Sequence, residues 1–135
     1  MKKILFILLG LFFYTGVFSQ NYSTAARTAT DKLVKLYHLN KEQKVQMLKI
    51  QERKVKNLKD IQPLEAKDSE LYYKKKKVVS YQESSAIKRL LHPDQKRIFM
   101  AEAKKKRNKQ AALMKQLKSQ GASMKEIHKA LSKLD

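Results

Sequence analysis

The feature that most restricts how this chain can fold is a short pattern that occurs twice, Leu39-Asn40-Lys41-Glu42-Gln43 and Leu91-His92-Pro93-Asp94-Gln95. Each copy sets a leucine four positions before a glutamine, and each opens a long charged segment of helical character. Asn40 is a strong N-cap residue, because its side chain accepts from the free amides of a first helical turn. Gln43 falls three residues later, where its side chain can reach back to the cap's own amide and close a capping box. Leu39 sits just before the cap, where an apolar side chain fixes how the incoming chain packs. In the second copy Pro93 has no amide to leave unsatisfied and a φ suited to the first helical position. Asp94 places a negative charge at the positive end of the helix dipole, and Gln95 keeps the third position. His92 is a poorer cap than Asn40. Both stretches mark abrupt helix starts, each following a helix that has just ended.

The composition agrees with a succession of helices. Three glycines and two prolines leave little material for the turns of a β-protein, whereas Lys, Glu, Gln and Leu dominate the long segments. Charged residues make up 32% of the chain, which suits thin, elongated helices better than a thick core. There is no cysteine, so no disulfide can staple the fold.

Met1-Lys2-Lys3 is followed by an apolar run from Ile4 to Phe18, interrupted by Gly10, Thr15 and Gly16. A basic start, a short apolar core and small residues after it describe a secretory signal peptide. Val17 and Ser19 suit the positions that signal peptidase reads, so cleavage is expected after Ser19, giving residues 1–19 as signal and 20–135 as one mature domain. The competing reading, an uncleaved membrane anchor, is disfavoured because the run is shorter than the roughly 20 residues that span a bilayer. Loss of Lys2 and Lys3 lowers the formal charge of +19 by two. These residues predict that the mature chain is exported from the cytoplasm.

Along the mature chain, a first helix is expected from Thr24 or Thr28 to His38, with Leu33, Val34, Leu36 and Tyr37 as its apolar side. A second runs from Lys41 to about Ile61 on a stripe of Val45, Leu48, Val55 and Leu58, widened by Met47, Ile50 and Ile61. Gln51 and Glu52 interrupt that stripe, which predicts loose or wet packing there. Pro63 marks its end. A third helix is expected from near Leu64 to Leu90 or Leu91, and a fourth from Pro93 to about Ser119. Gly121 ends the fourth, and Ser123 with Glu126 makes a capping box for a short amphipathic helix over residues 123–134. The halves 28–58 and 80–110 align on the motif with low identity elsewhere, which describes two helix pairs of similar layout and not a solenoid.

The repeated pattern resembles the Leu-Thr-x-x-Gln motif that opens the second and fourth helices of the Spy/CpxP-like periplasmic proteins. Leu39, Gln43, Leu91 and Gln95 match; Asn40 and His92 stand where that family usually has threonine. The resemblance covers about residues 24–119, and the family pattern usually ends without the last helix. It implies an elongated all-α arrangement of two helix hairpins that pairs as a cradle-shaped homodimer. It also implies a periplasmic location and ATP-independent chaperoning of unfolded clients there during envelope stress.

Candidate chemistry is sparse. His38, His92 and His128 are not paired at helical spacing and have no acidic cluster beside them, so no metal site is expected. No serine elbow, His-Glu-x-x-His or glycine-rich phosphate loop is present, so neither catalytic residues nor a cofactor are expected. Gly121 to Ile127 faintly resembles the turn before a DNA-reading helix, but a C-cap glycine and a capping box explain the same residues, and the signal peptide argues against nucleic acid as a physiological target.

The basic runs Lys74, Lys75, Lys76, Lys77 and Lys104, Lys105, Lys106, Arg107 concentrate like charge at one-turn spacing, where repulsion costs a few tenths of a kcal/mol per pair. A single such run usually marks a solvated helix face. Two suggest that the field is used to attract anionic partners. Together with Arg53, Lys56, Tyr72 and Tyr73 they form the expected client-binding surface. The expected partners are unfolded polypeptides with acidic stretches or, in a regulatory alternative without general clients, an envelope sensor protein or an anionic envelope surface.

Overall fold

Most of the helices start where a side chain supplies an acceptor for the free amides. The computed structural model describes residues 23–134, and every regular element among them is a helix: α1 (Thr24–Tyr37), α2 (Lys41–Ile61), α3 (Leu64–Lys67), α4 (Ser69–Leu90), α5 (Pro93–Ser119) and α6 (Met124–Leu131). The expected signal segment and cleavage position lie outside the described residues. Ser23, Asn40, Asp68 and Ser123 each accept from the amide three residues on, at 3.2, 2.8, 3.0 and 3.3 Å. Pro93 heads α5.

The starts at Lys41 and Pro93 and the ends at Ile61 and Ser119 fall where the sequence places them. The end of α5 shows why. Gly121 takes a φ of 74°, its amide donates to the Lys118 carbonyl at 3.1 Å, and the Ala122 amide donates to Leu117 at 3.0 Å, the paired bonds of a Schellman cap. The third helix differs from expectation. It is broken at Asp68, whose φ of −151° leaves the helical region; the Asp68 amide closes α3 on Leu64, and its carboxylate opens α4. The last helix is also shorter than residues 123–134, ending at Leu131.

α2 is the central rod. α1 packs on one side of it and α4 on another, while α6 folds back against α4 and α5. The bonds from Gln43 to Leu90 and from Gln51 to Glu83 show that α2 and α4 run antiparallel. The main apolar core, Tyr37, Leu39, Met47, Ile87 and Leu91, lies where the α1–α2 and α4–α5 junctions meet. Tyr37 also meets the Phe99 ring at 6.3 Å between centroids. Complete burial of Met47 stabilises this end by about 1.5–3 kcal/mol. α5 is different: none of its 27 residues is fully buried.

The buried face of α2 is rotated from the expected stripe. Gln43, Met47 and Gln51, spaced by four, point inward, and Val45 is 55% exposed. Packing at Gln51 is tight, contrary to the loose or wet contact the sequence suggests. Its side chain is 2% exposed and donates to Glu83 Oε1 at 2.9 Å. Glu83 in turn holds Lys54 Nζ at 2.7 Å. A polar residue enters the apolar stripe because α4 delivers an acceptor to it. Glu52 has its own task, accepting from the Ser23 amide at 3.1 Å and so tying the start of α1 to α2.

Candidate functional site

The two motif glutamines meet. Gln43 Nε2 donates to Gln95 Oε1 at 2.8 Å, and Gln95 Nε2 donates back to Gln43 Oε1 at 3.0 Å, closing a reciprocal amide pair across 52 positions of sequence. Each glutamine also accepts from the cap residue of its own helix, Asn40 for Gln43 at 3.1 Å and His92 for Gln95 at 2.9 Å. The remaining N–H of each reaches the end of the opposite preceding helix: Gln43 donates to the Leu90 carbonyl at 3.1 Å, and Gln95 to the His38 carbonyl at 3.3 Å. Leu39 and Leu91 are buried immediately beside this network. The two halves of the chain are thus related by a local quasi-twofold at the amide pair. Its role is to lock two helix junctions to each other; with every amide group engaged, it is a structural clasp.

The symmetry is broken at the helix ends. His38 adopts a left-handed conformation with φ of 52°, and the following Leu39 amide returns to Val34 at 3.1 Å. Leu91 leaves α4 in an extended conformation instead. The backbones of His38 and His92 therefore converge on Gln95, while His128 sits on α6 within electrostatic reach of Glu70. Among the described residues no group of three or more His, Cys, Asp or Glu side chains is placed to hold a metal ion.

The residues of the expected client surface are divided by the fold. Arg53 and Lys56 are exposed on α2, and Lys104, Lys105 and Arg107 are exposed on α5. Lys105 spans to Glu102 at 2.6 Å, and Lys106 is half-buried. The run on α4 is only partly free. Lys74 pairs with Glu70 at 2.8 Å; the contact holds the Glu70 carboxyl below and the Lys74 ammonium above their usual ranges. Lys76 donates to the Ser132 carbonyl at 2.8 Å, placing a cation at the negative end of α6. Lys75 and Lys77 remain exposed.

Tyr72 does not offer the contact area expected of it. It is buried, 7% exposed, with its ring edge-on to Tyr73 at 5.2 Å, and burial first, then Glu65 and Tyr73, push its phenol up. The cause is tertiary: both α3 and α6 pack on α4.

Two open grooves flank α4. One, of ≈ 370 Å³, lies between α4 and α5; Tyr37, Ile87 and Phe99 contribute its apolar side, and Lys105, Lys106 and Lys109 its basic rim. The Tyr37 phenol there is pushed up by burial and, secondarily, by Glu102 and Glu83. The other, of ≈ 520 Å³, lies between α2 and α4 and carries Arg53, Tyr81 and Arg89.

No family model, curated protein or solved structure matches this chain.

Arg89 and Tyr81 were not among the expected site residues, although the spacing Gln82, Ser85, Ala86, Arg89 is that of one helix face. The clue lies in two such faces, on α2 and α4, which only the fold brings together. Among the described residues no helix is long and apolar enough to cross a membrane.

Proposed function

We propose that this protein is an exported, ATP-independent chaperone that holds unfolded polypeptides on a basic helical surface. The observation that carries this reading is α5. It is a 27-residue helix with no buried residue, and its cations Lys105, Lys106 and Lys109 line an open groove with Tyr37, Ile87 and Phe99 on its apolar side. A helix left this bare is solvated or meets a partner of opposite charge. Basic side chains attract acidic segments over about a Debye length, roughly 8 Å at physiological salt. A shallow apolar floor then holds them weakly enough for folding to proceed while bound.

The resemblance of the repeated motif to that of the Spy/CpxP-like proteins supports the same reading, as does the signal-like first segment. So does the clasp at Gln43 and Gln95, which joins two similar halves. We further propose that two helix hairpins and the short last helix form an elongated protomer that pairs as a cradle-like homodimer. Val45, Val78 and Met100 are each about half exposed, at 55%, 53% and 49%, and two copies of one chain could cover such apolar side chains mutually.

The test is aggregation of a heat-unfolded enzyme, followed by light scattering without nucleotide. Suppression is expected at low salt and should weaken as salt rises. No suppression at low salt overturns the proposal; retention of one stoichiometric envelope protein in place of many unfolded ones would assign a regulatory role.

A further inference from the structure

The groove between α2 and α4 holds two guanidinium groups that the fold leaves unused. Arg53 and Arg89 both line it and both are exposed, and neither makes a hydrogen bond or ion pair among the described residues. The carboxylate in the same groove does not neutralise them. Glu83 is committed to Lys54 at 2.7 Å and to Gln51 at 2.9 Å.

The other lining groups are mixed in a way that suits a polypeptide. Ile50 adds an apolar surface, and Asn57 and Gln82 bring amide groups able to pair with a backbone. Tyr81 is 73% exposed, the most open large apolar or aromatic residue described, and presents a ring at the rim. A free inorganic anion would use the arginines alone; an acidic peptide would use all of these.

The geometry also sets a spacing. The antiparallel register that joins Gln51 to Glu83 puts Arg53 across from Tyr81. Arg89 lies two turns farther along α4, about 12 Å by the helical rise. Extended chain advances about 3.3 Å per residue, so two carboxylates three or four positions apart would meet one arginine each. We propose that the α2–α4 groove anchors an extended acidic polypeptide segment, with Arg53 and Arg89 each taking one carboxylate. This deepens the chaperone reading by giving the client's charged stretch a defined seat, and in that respect rests on it.

The experiment is fluorescence anisotropy of the purified protein with a labelled peptide of about ten residues that carries two glutamates four positions apart around a phenylalanine. Two control peptides have the glutamates adjacent or replaced by lysine. Arg53→Gln and Arg89→Gln should each weaken binding about tenfold, the loss of one charge-assisted contact. A Lys32→Gln/Lys35→Gln variant on α1 should change it by less than about threefold, because those exposed side chains line neither groove and act only through the screened field. Circular dichroism of each variant should match the parent, since all four side chains are exposed. The proposal is overturned if either arginine variant binds as the parent does, if the adjacent-glutamate peptide binds equally well, or if the lysine variant loses as much. Light-scattering suppression measured on the same variants separates the two readings. Suppression with arginine-independent peptide binding removes this seat and leaves the chaperone. Arginine-dependent binding without suppression supports the seat and removes the chaperone.

Discussion

Replacing Gln43 and Gln95 by alanine, singly and together, measures how much of the fold depends on the clasp. Gln95→Ala removes both amide–amide bonds, at 2.8 and 3.0 Å, and the longer bond to the His38 carbonyl. At about 1 kcal/mol net for each neutral hydrogen bond, the expected loss is about 2–3 kcal/mol. The His92 amide adds little, because it lies at an exposed position where water replaces the lost acceptor. Gln43→Ala removes the same two shared bonds and also strips the Leu90 carbonyl of its side-chain donor. Gln43 is 5% exposed, so its stranded partners regain less from water, and the loss should be about 3 kcal/mol. Once one glutamine is gone the other has no amide to pair with. The double variant should therefore lose about 1–2 kcal/mol less than the two single losses added. Urea denaturation followed by circular dichroism gives all three values, and thermal midpoints should fall by about 4 °C per kcal/mol for a domain of this size. Additivity to within about 0.5 kcal/mol would refute the coupling and leave the two glutamines as independent helix caps.

Glu83→Ala should destabilise the protein by about 1–3 kcal/mol, because it takes the acceptor from the buried Gln51 amide and the partner from the half-buried Lys54 ammonium; Glu83→Gln, which keeps an acceptor, should lose about half as much, read from urea midpoints. Acid should loosen α6 before the rest. The Glu126 carboxyl is held below its usual range by the Ser123 amide and then by the Ser123 hydroxyl, at 2.8 Å each. A depressed carboxyl adds stability that is present above its unfolded value and lost as pH falls through its folded value. Amide exchange in α6 should accelerate over that acid window, and Glu126→Gln should remove this part of the pH dependence; an unchanged profile in the variant would count against the capping box as the cause.

The parts of this fold that could be read from the chain are those whose physics is local. Asn40, Pro93, Gly121 and Ser123 act within a turn of their own position, and the helix boundaries near them fall where the sequence puts them. Asp68 was also a local signal, but Leu64 and Leu71 lie two turns apart, as in an uninterrupted helix, and that periodicity masks the cap. The misreadings at Gln51 and Tyr72 share a different cause. A glutamine in an apolar stripe reads as a defect until α4 brings Glu83 to it, and a tyrosine beside four lysines reads as surface until other helices pack on α4.

The same logic governs the charge. Lysines spaced along one helix announce a field but not its direction, because side chains elsewhere choose which of them remain free. Glu70 takes Lys74, and the end of α6 takes Lys76. The exposed Lys104 and Arg107 of α5 and the unpaired arginines of the α2–α4 groove are what the internal ion pairs leave over. A binding surface on so basic a chain is thus defined by subtraction. Its location follows from where the carboxylates of the described residues are spent, which is a property of packing and not of the cationic runs themselves.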